Sequence, residues 1–204
     1  MKNLGLILLA GGSSNRFNAG LKQLLLVHNQ PLYVHVLEKL TDMVHFDDVV
    51  IVLHESIKPI QNYKIASAGS TWIESVHNAN QLLNPAIEHV MVHDAARPLF
   101  QKQDVEKLIE AAFETPIVAL GSSVRNTLVR QKQQNFEIVE RDNLFEVYTP
   151  QIIRKNILNN CKDVPCTDLI TLGILTGQQT KILPSNPLNI KITYPSDISI
   201  IRNI

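Results

Sequence analysis

The sequence predicts an α/β fold, a mostly parallel sheet covered by helices, with one protruding β-arm. Three observations carry that expectation. Short apolar runs alternate with stretches of helical periodicity up to Leu120, which is the pattern of βα units in a parallel sheet. The first run, Leu4–Leu9, is continuously apolar, as befits a strand buried on both faces. Beyond Leu120 the alternation breaks: Asn126–Arg130 and Phe136–Glu140 flank a polar KQQN, which reads as a hairpin or arm.

Each element has its own signal. Leu4–Leu9 stops at Gly11, Gly12, Ser13 and Ser14, and Arg16 and Lys22 follow across a loop containing Asn18, Ala19 and Gly20. A strand that feeds a small-residue loop with exposed N–H groups and spaced cations suits a polyphosphate. The loop lacks the Gly-Lys-Ser/Thr of a P-loop and the G-x-G-x-x-G of a dinucleotide fingerprint. Gln30–Leu40 carries Leu32, Val36, Leu37 and Leu40 at helical spacing, with Pro31 suited to the first turn. Asp47–Leu53 is a second β-branched run and Tyr63–Ser67 a third. Ser70–Leu83 reads as a helix with Ile73, Val76 and Ala79 on one face. Glu88–Val92 is a strand ending in His93-Asp94-Ala95-Ala96-Arg97-Pro98; Asp104–Phe113 is an amphipathic helix, and Pro116–Leu120 a strand. Strand and helix signals resume over Gln151–Asn159, Asp168–Leu175, Lys181–Leu183 and Ile190–Thr193. Thr149-Pro150-Gln151 and Thr167-Asp168 read as helix starts, threonine being a good N-cap. No repeat, low-complexity tract or linker interrupts the chain, so one domain over 1–204 with an arm at about 122–148 is the economical organisation.

Composition excludes several classes. With 204 residues, 45% hydrophobic and 19% charged, the chain is long and apolar enough for a substantial core and is not a disordered or coiled-coil composition. Lys plus Arg and Asp plus Glu both count 19, so the basic excess of a nucleic-acid binder is missing. No apolar run is long enough to span a membrane, and glycines rather than a cleavage site follow Leu4–Leu9. Cys161 and Cys166 make neither a zinc site nor a CxxC motif and read as reduced thiols of a cytoplasmic protein.

Three further stretches carry candidate chemistry. Asp94, at the end of an apolar strand, is placed to hold Mg²⁺ between phosphate oxygens, or to serve as a turn residue. Arg97 is placed to clamp a phosphate or to pair with Asp94, and His93 reads as a structural group. Lys191 alternates with Ile190 and Ile192 and therefore points away from both, either into a site or into solvent.

Together these stretches resemble the cytidylyltransferases that act on methylerythritol 4-phosphate or ribitol 5-phosphate. The matching segments are LAGGSSNRFNAGLKQ, AGSTWIESV, VHDAARPL, ERDNLFEVYTPQ, CTDL and NIKIT, in the family's order and across nearly the whole chain. The resemblance implies a Rossmann-like α/β fold with helices on both faces, Mg²⁺, CTP, a polyol phosphate and a homodimer that exchanges its arm. It implies that Ala10, Gly11 and Gly12 hold the nucleotide, with Ala68, Gly69 and Ser75 around cytosine and ribose. Arg16, Lys22 and Lys191 would surround the α-phosphate, and Asp94 would bind the metal. Thr127, Arg141 and Thr149 would reach across the dimer to the sugar phosphate, joined by Arg97 and Thr167. The implied reaction transfers CMP from CTP and releases pyrophosphate, in isoprenoid precursor synthesis if the acceptor is methylerythritol phosphate. This sequence departs from the family pattern at Ser14, Ala68, Trp72, Asn126 and Val129, where the family has glycine, glycine, arginine, aspartate and lysine. Two other readings stand beside the first: a nucleotidyltransferase for another base or sugar phosphate, and a non-catalytic nucleotide binder.

Overall fold

Leu4–Ala10 forms β1, an interior strand of a seven-stranded sheet, with Leu4, Leu6, Ile7, Leu8 and Ala10 buried. The computed structural model describes residues 3–14, 16–17 and 20–201; Asn15, Asn18 and Ala19 of the opening loop lie outside the described residues. A two-stranded ribbon, β2 (Leu26–Val27) and β3 (Gln30–Pro31), precedes α1 (Leu32–Met43). Then come β4 (Asp48–Leu53), β5 (Lys64–Ser67), α2 (Trp72–Leu82), β6 (His89–Asp94), α3 (Lys102–Ala112) and β7 (Ile117–Ser123). A separate hairpin, β8 (Leu128–Lys132) and β9 (Asn135–Val139), leads into β10 (Phe145–Arg154). The short helix α4 (Lys155–Asn159), α5 (Leu169–Leu175), β11 (Thr180–Pro184) and α6 (Ile198–Ile201) follow.

The sheet order is β11-β7-β10-β6-β1-β4-β5. Only β10 runs antiparallel to its neighbours, β6 and β7; the other pairs are parallel. Helices cover both faces, as right-handed βα units require. Leu4, Leu6 and Leu8 face α1 and α3, whose inner residues include Val36, Leu40, Val105 and Leu108. Ile7, Val50, Val52 and Val92 face α2, α4 and α5, through Ile73, Val76, Leu158 and Leu169. α2 starts where the Thr71 hydroxyl accepts the Glu74 N–H at 3.2 Å, and α5 where the Asp168 carboxylate accepts the Thr171 N–H at 2.9 Å. Of the expected Thr167-Asp168 start, it is therefore Asp168 that caps.

Two local expectations are overturned. Thr149-Pro150-Gln151 is no helix start but the interior of β10, where the register with β7 shifts between Tyr148 and Gln151. Gln151–Ile153 pair with both β6 and β7 and keep the chain in the sheet past Thr149, whose hydroxyl accepts the Asp94 N–H instead of capping a helix, and the helix begins only at Lys155. Ile190–Thr193 joins no strand ladder; its neighbour is the turn after β6, and Ile192 N–H donates to Ala96 O at 2.8 Å. Its alternation survives without a sheet, because Ile192 is fully buried and Lys191 points the other way.

The arm projects as a two-stranded ribbon. Its Val129–Ile138 and Gln131–Phe136 pairs put Val129, Phe136 and Ile138 on one face, where all three are exposed. On the other face Glu137 pairs with Arg130 at 3.1 Å and with Lys132 at 2.6 Å.

Candidate active site

In the parallel register Leu9 lies opposite Asp94 and Ala10 opposite Leu53, so the carboxyl ends of β6, β1, β4 and β5 stand in a row. That edge is where open α/β sheets bind ligands. Asp94 emerges on one side of β1. Its carboxylate Oδ2 lies 2.8 Å from Lys191 Nζ and 3.4 Å from Arg97 Nε. Burial pushes this carboxyl up, and the Lys191 and Arg97 cations overcome that and hold it below the ordinary range. A closed set of hydrogen bonds fixes the arrangement. The Asp94 N–H donates to Thr149 Oγ1 at 3.0 Å, Asn189 Nδ2 to the Thr149 carbonyl at 2.9 Å, and Arg97 Nη1 to the Asn189 carbonyl at 2.8 Å. Beneath it His93, wholly buried and pulled down to about 3 by desolvation, stays neutral against Phe100 and contacts the Arg97 carbonyl at 3.1 Å. That agrees with its structural reading.

The loop after β1 forms the floor. A Cβ on Gly11 would come within 2.6 Å of Ala68 Cβ and 3.0 Å of Val52 Cγ1, so the exits of β1 and β5 approach this closely because residue 11 is glycine. Ser14 sits at φ +58, a left-handed conformation that glycine adopts freely and serine does not. Its side chain offsets that strain. The hydroxyl donates to Gln23 Oε1 and accepts from the Lys22 N–H, both at 3.2 Å, while Gln23 Nε2 donates to the Gly12 carbonyl at 3.0 Å. This clamp turns Lys22 into the cleft. Burial, then the nearby Lys191, lower the Lys22 ammonium to about 8; Arg16 and Arg97 add to the effect and Asp94 opposes it.

The resulting cleft has a volume of about 610 Å³. Ala10, Gly11, Gly12, Lys22, Asp94 and Lys191 line it near β1 and β6, and Ala68, Gly69, Ser70, Thr71, Trp72 and Ser75 line it beyond β5. One side is therefore cationic around a carboxylate, and the other is small, hydroxyl-bearing and aromatic. Ser75 is spent on the loop itself: its hydroxyl accepts the Gly69 N–H at 2.9 Å and donates to the Thr71 carbonyl at 3.0 Å.

Of the residues singled out from sequence, the fold brings Ala10, Gly11, Gly12, Lys22, Ala68, Gly69, Ser75, Asp94 and Lys191 into one cleft. Arg16 is exposed but close enough to act on Lys22. Arg97 and Thr149 brace Asp94 from within the same chain. Thr127, Arg141 and Thr167 are exposed and do not line the cleft; the Arg141 guanidinium is bound to the Arg125 carbonyl, and Thr167 Oγ1 donates to Asp168 Oδ2 at 3.3 Å. Sequence reasoning missed Gln23, Ser70 and Asn189. A glutamine and an asparagine that end up almost wholly buried have no signature in the chain, because their burial depends on partners 11 and 40 residues away.

The donors suit a Mg²⁺ ion carried in on phosphates rather than a preformed metal site. No group of three or more His, Cys, Asp or Glu is clustered among the described residues. Both cations meet Asp94 at Oδ2, and the carboxylate's other oxygen is the atom that would hold such an ion.

A family model described as IspD, 2-C-methyl-D-erythritol 4-phosphate cytidylyltransferase, matches residues 4–204. The 2-C-methyl-D-erythritol 4-phosphate cytidylyltransferase of Chlamydia felis is 33% identical over 207 residues, covering 96% of this chain and 95% of that protein. The enzyme of that description from Alkaliphilus metalliredigens is 30% identical, covering 97% of this chain and 91% of that one. The bifunctional IspD/IspF enzyme of Pelagibacter ubique is also 30% identical, but the chain spans only 55% of its length. Among solved structures, the bifunctional IspDF of Campylobacter jejuni superposes with a TM-score of 0.87 at 28% identity, over 97% of this chain and 54% of that one. The Francisella tularensis cytidylyltransferase, at 22% identity and a TM-score of 0.83 over 98% of this chain and 99% of that one, has the same fold.

Proposed function

Because the chain belongs to the 2-C-methyl-D-erythritol 4-phosphate cytidylyltransferase family, we propose that its cleft transfers CMP from CTP to a polyol phosphate, 2-C-methyl-D-erythritol 4-phosphate in the first place, in isoprenoid precursor synthesis. The observation that carries the reading is the meeting of Lys22, Lys191 and Asp94 beside Gly11 and Gly12 at the ends of β1 and β6. In the transfer, an oxygen of the acceptor's phosphate bonds to the α-phosphorus of CTP. The bond from that phosphorus to the bridging oxygen breaks, and the electron pair leaves with pyrophosphate. No protein nucleophile is needed. Lys22 and Lys191, with Arg16 at the rim, hold the α-phosphate oxygens on which charge grows, in a site organised before the substrate arrives. Arg97, Thr149 and Asn189 keep Asp94 and Lys191 in register. Mg²⁺, held by Asp94 and the phosphates, supplies Lewis-acid charge neutralisation when bound.

The exposed apolar face of the arm supports a homodimer, in which Thr127 and Arg141 reach the acceptor's side of the partner's cleft. No helix among the described residues is long and apolar enough to cross a membrane, and Cys161 and Cys166 are free thiols, which suits a cytoplasmic enzyme. Pyrophosphate release, measured with each of four nucleoside triphosphates and with methylerythritol or ribitol phosphate, tests the function. CTP with methylerythritol phosphate gives turnover, and Lys191→Ala lowers it by about 10²–10³-fold with an unchanged fold. Release that prefers another triphosphate, or near-normal rates in Lys191→Ala and Lys22→Ala, would overturn the assignment.

A further inference from the structure

We propose that the hollow at the amino end of β6 is a second ligand site, built for a small organic anion that carries hydroxyl groups, a sugar phosphate or a hydroxy acid. Arg154 takes the charged group, and His77, Asn80 and His89 take the hydroxyls. The hollow stands apart from the catalytic cleft. His89 opens β6 and Asp94 ends it, so the length of the strand, roughly 16 Å at about 3.3 Å per residue, separates the two. Binding here goes beyond the transfer reaction and does not depend on it.

The hollow has a volume of about 800 Å³, against 610 Å³ for the catalytic cleft. Its walls come from the last turns of α2, the connection to β6, the end of α3 and the junction of β10 with α4. Buried polar atoms in folded proteins are nearly always paired. Among the described residues, His77 Nδ1, Asn80 Oδ1 and His89 Nδ1 are buried without a partner, and all three belong to residues that line this hollow. The rest of each side chain is committed, which fixes the role left to each atom. Gln81 Nε2 donates to His77 Nε2 at 3.0 Å, so the His77 hydrogen sits on Nδ1 as a donor. Asn80, only 4% exposed, donates through Nδ2 to Asn159 Oδ1 at 2.7 Å and keeps Oδ1 as an acceptor. The His89 ring donates to the Ala112 carbonyl, while burial and then the Arg154 cation lower its pKa. The ring is therefore neutral at neutral pH, and Nδ1 is a second acceptor. One donor and two acceptors call for groups that both give and accept a hydrogen bond, as hydroxyls do.

Two cations set the charge preference. Arg154 lies opposite His89 across the sheet, and its guanidinium makes a 3.5 Å contact with the Phe113 carbonyl, so most of its planar fork of donors is left for a ligand. Lys155, nine-tenths buried, donates to the Leu83 and Asn84 carbonyls at 3.4 and 2.8 Å and keeps its third hydrogen. Glu88 is the one carboxylate in the wall among the described residues; it is exposed and accepts Asn3 Nδ2 at 3.1 Å. Two cations against one occupied carboxylate favour an anion. Leu83, Ile87 and Phe113 supply apolar surface for the ligand's carbon frame.

Histidine ring signals in NMR spectra of the full chain, with those of His77 and His89 assigned by single substitution, report on the hollow directly. The titrants are glycerol 3-phosphate, glycerate, glycerol and inorganic phosphate. At least one of the two organic anions is expected to move both signals saturably, and the tighter of them identifies the charged group. Arg154→Gln weakens that binding by about tenfold or more, the loss of a charge-assisted hydrogen bond. Arg154→Lys keeps most of it, which separates the role of the charge from any loss of folding. Lys191→Ala, which alters the catalytic cleft, leaves the titration unchanged. Signals that stay still with both organic anions, or that respond in Arg154→Gln as in the wild type, overturn the site. Inorganic phosphate bound as tightly as glycerol 3-phosphate would mean an adventitious ion only, and glycerol bound as tightly as either anion would remove the part given to Arg154. A response lost in Lys191→Ala would belong to the catalytic cleft. Each of these three results also overturns the proposal.

Discussion

Arg16, Lys22, Arg97 and Lys191 gather around Asp94, and Lys22 bears the consequence: its ammonium is lowered to about 8 by burial and by Lys191. Lys22 is charged below that pH and loses its proton above it, so phosphate binding by the free enzyme weakens as pH rises. We expect kcat/KM for CTP to fall through a pKa near 8, and Lys22→Arg, whose guanidinium stays protonated, to extend the plateau upward. A profile flat to pH 10 in the wild type would show that the Lys22 charge is not used. Ser14 makes a second case at this scale. It combines an unfavourable φ of +58 with two hydrogen bonds at 3.2 Å, and the two effects oppose each other. Ser14→Gly removes both and should change stability by less than about 1 kcal/mol, whereas Ser14→Ala keeps the strain, loses the bonds and raises KM for CTP. Denaturant titrations and initial rates of the two variants distinguish these outcomes.

Elements were legible wherever one local pattern sufficed. Val105 and Leu108 repeat at helical spacing and α3 forms over them; Val50 to Leu53 is a β-branched run and is buried in β4. The sequence failed where pairing overrode a local preference, as at Thr149, whose capping signal lies at the register shift of a strand that pairs on both sides from Gln151. It also failed to foresee that Lys191 sits on a segment held by one backbone bond to Ala96 rather than in a ladder. The meeting of the β1 and β5 exits is itself testable. Gly11→Ala sets a methyl 2.6 Å from Ala68 Cβ, where no flexible side chain can yield. The two loops must part, costing about 1–3 kcal/mol in chemical denaturation and widening the nucleotide cleft, so CTP affinity falls with it. Wild-type stability and KM in that variant would mean the loops are not as tightly opposed as the structure has them.

For the molecule as a whole, the unresolved economy is the arm. A two-stranded ribbon is marginal alone, and this one carries Ile138 at 82% and Phe136 at 68% exposure on a single face. In the homodimer proposed above, a second copy covering this face would account for its apolar surface and for the absence of Thr127 and Arg141 from the lining of their own chain's cleft. Ile138→Asp should therefore convert a dimer into a monomer in analytical ultracentrifugation and lower turnover together with it, while the sheet's stability is retained. A wild-type monomer with full activity would leave the arm without this role.

The residues alone determined the α/β class, the phosphate-suited loop after β1, the carboxylate at the end of β6 and the alternation that aims Lys191 away from Ile192, because each depends on neighbours a few positions apart. Tertiary structure decided the rest. It placed Lys191 2.8 Å from Asp94 across 97 residues of chain, spent Arg97 and Thr149 on bracing that pair, and turned the Ser70 hydroxyl toward Glu74. A hydrogen bond's partner and direction are set by which strand ends meet, and that is a property of sheet order rather than of local sequence.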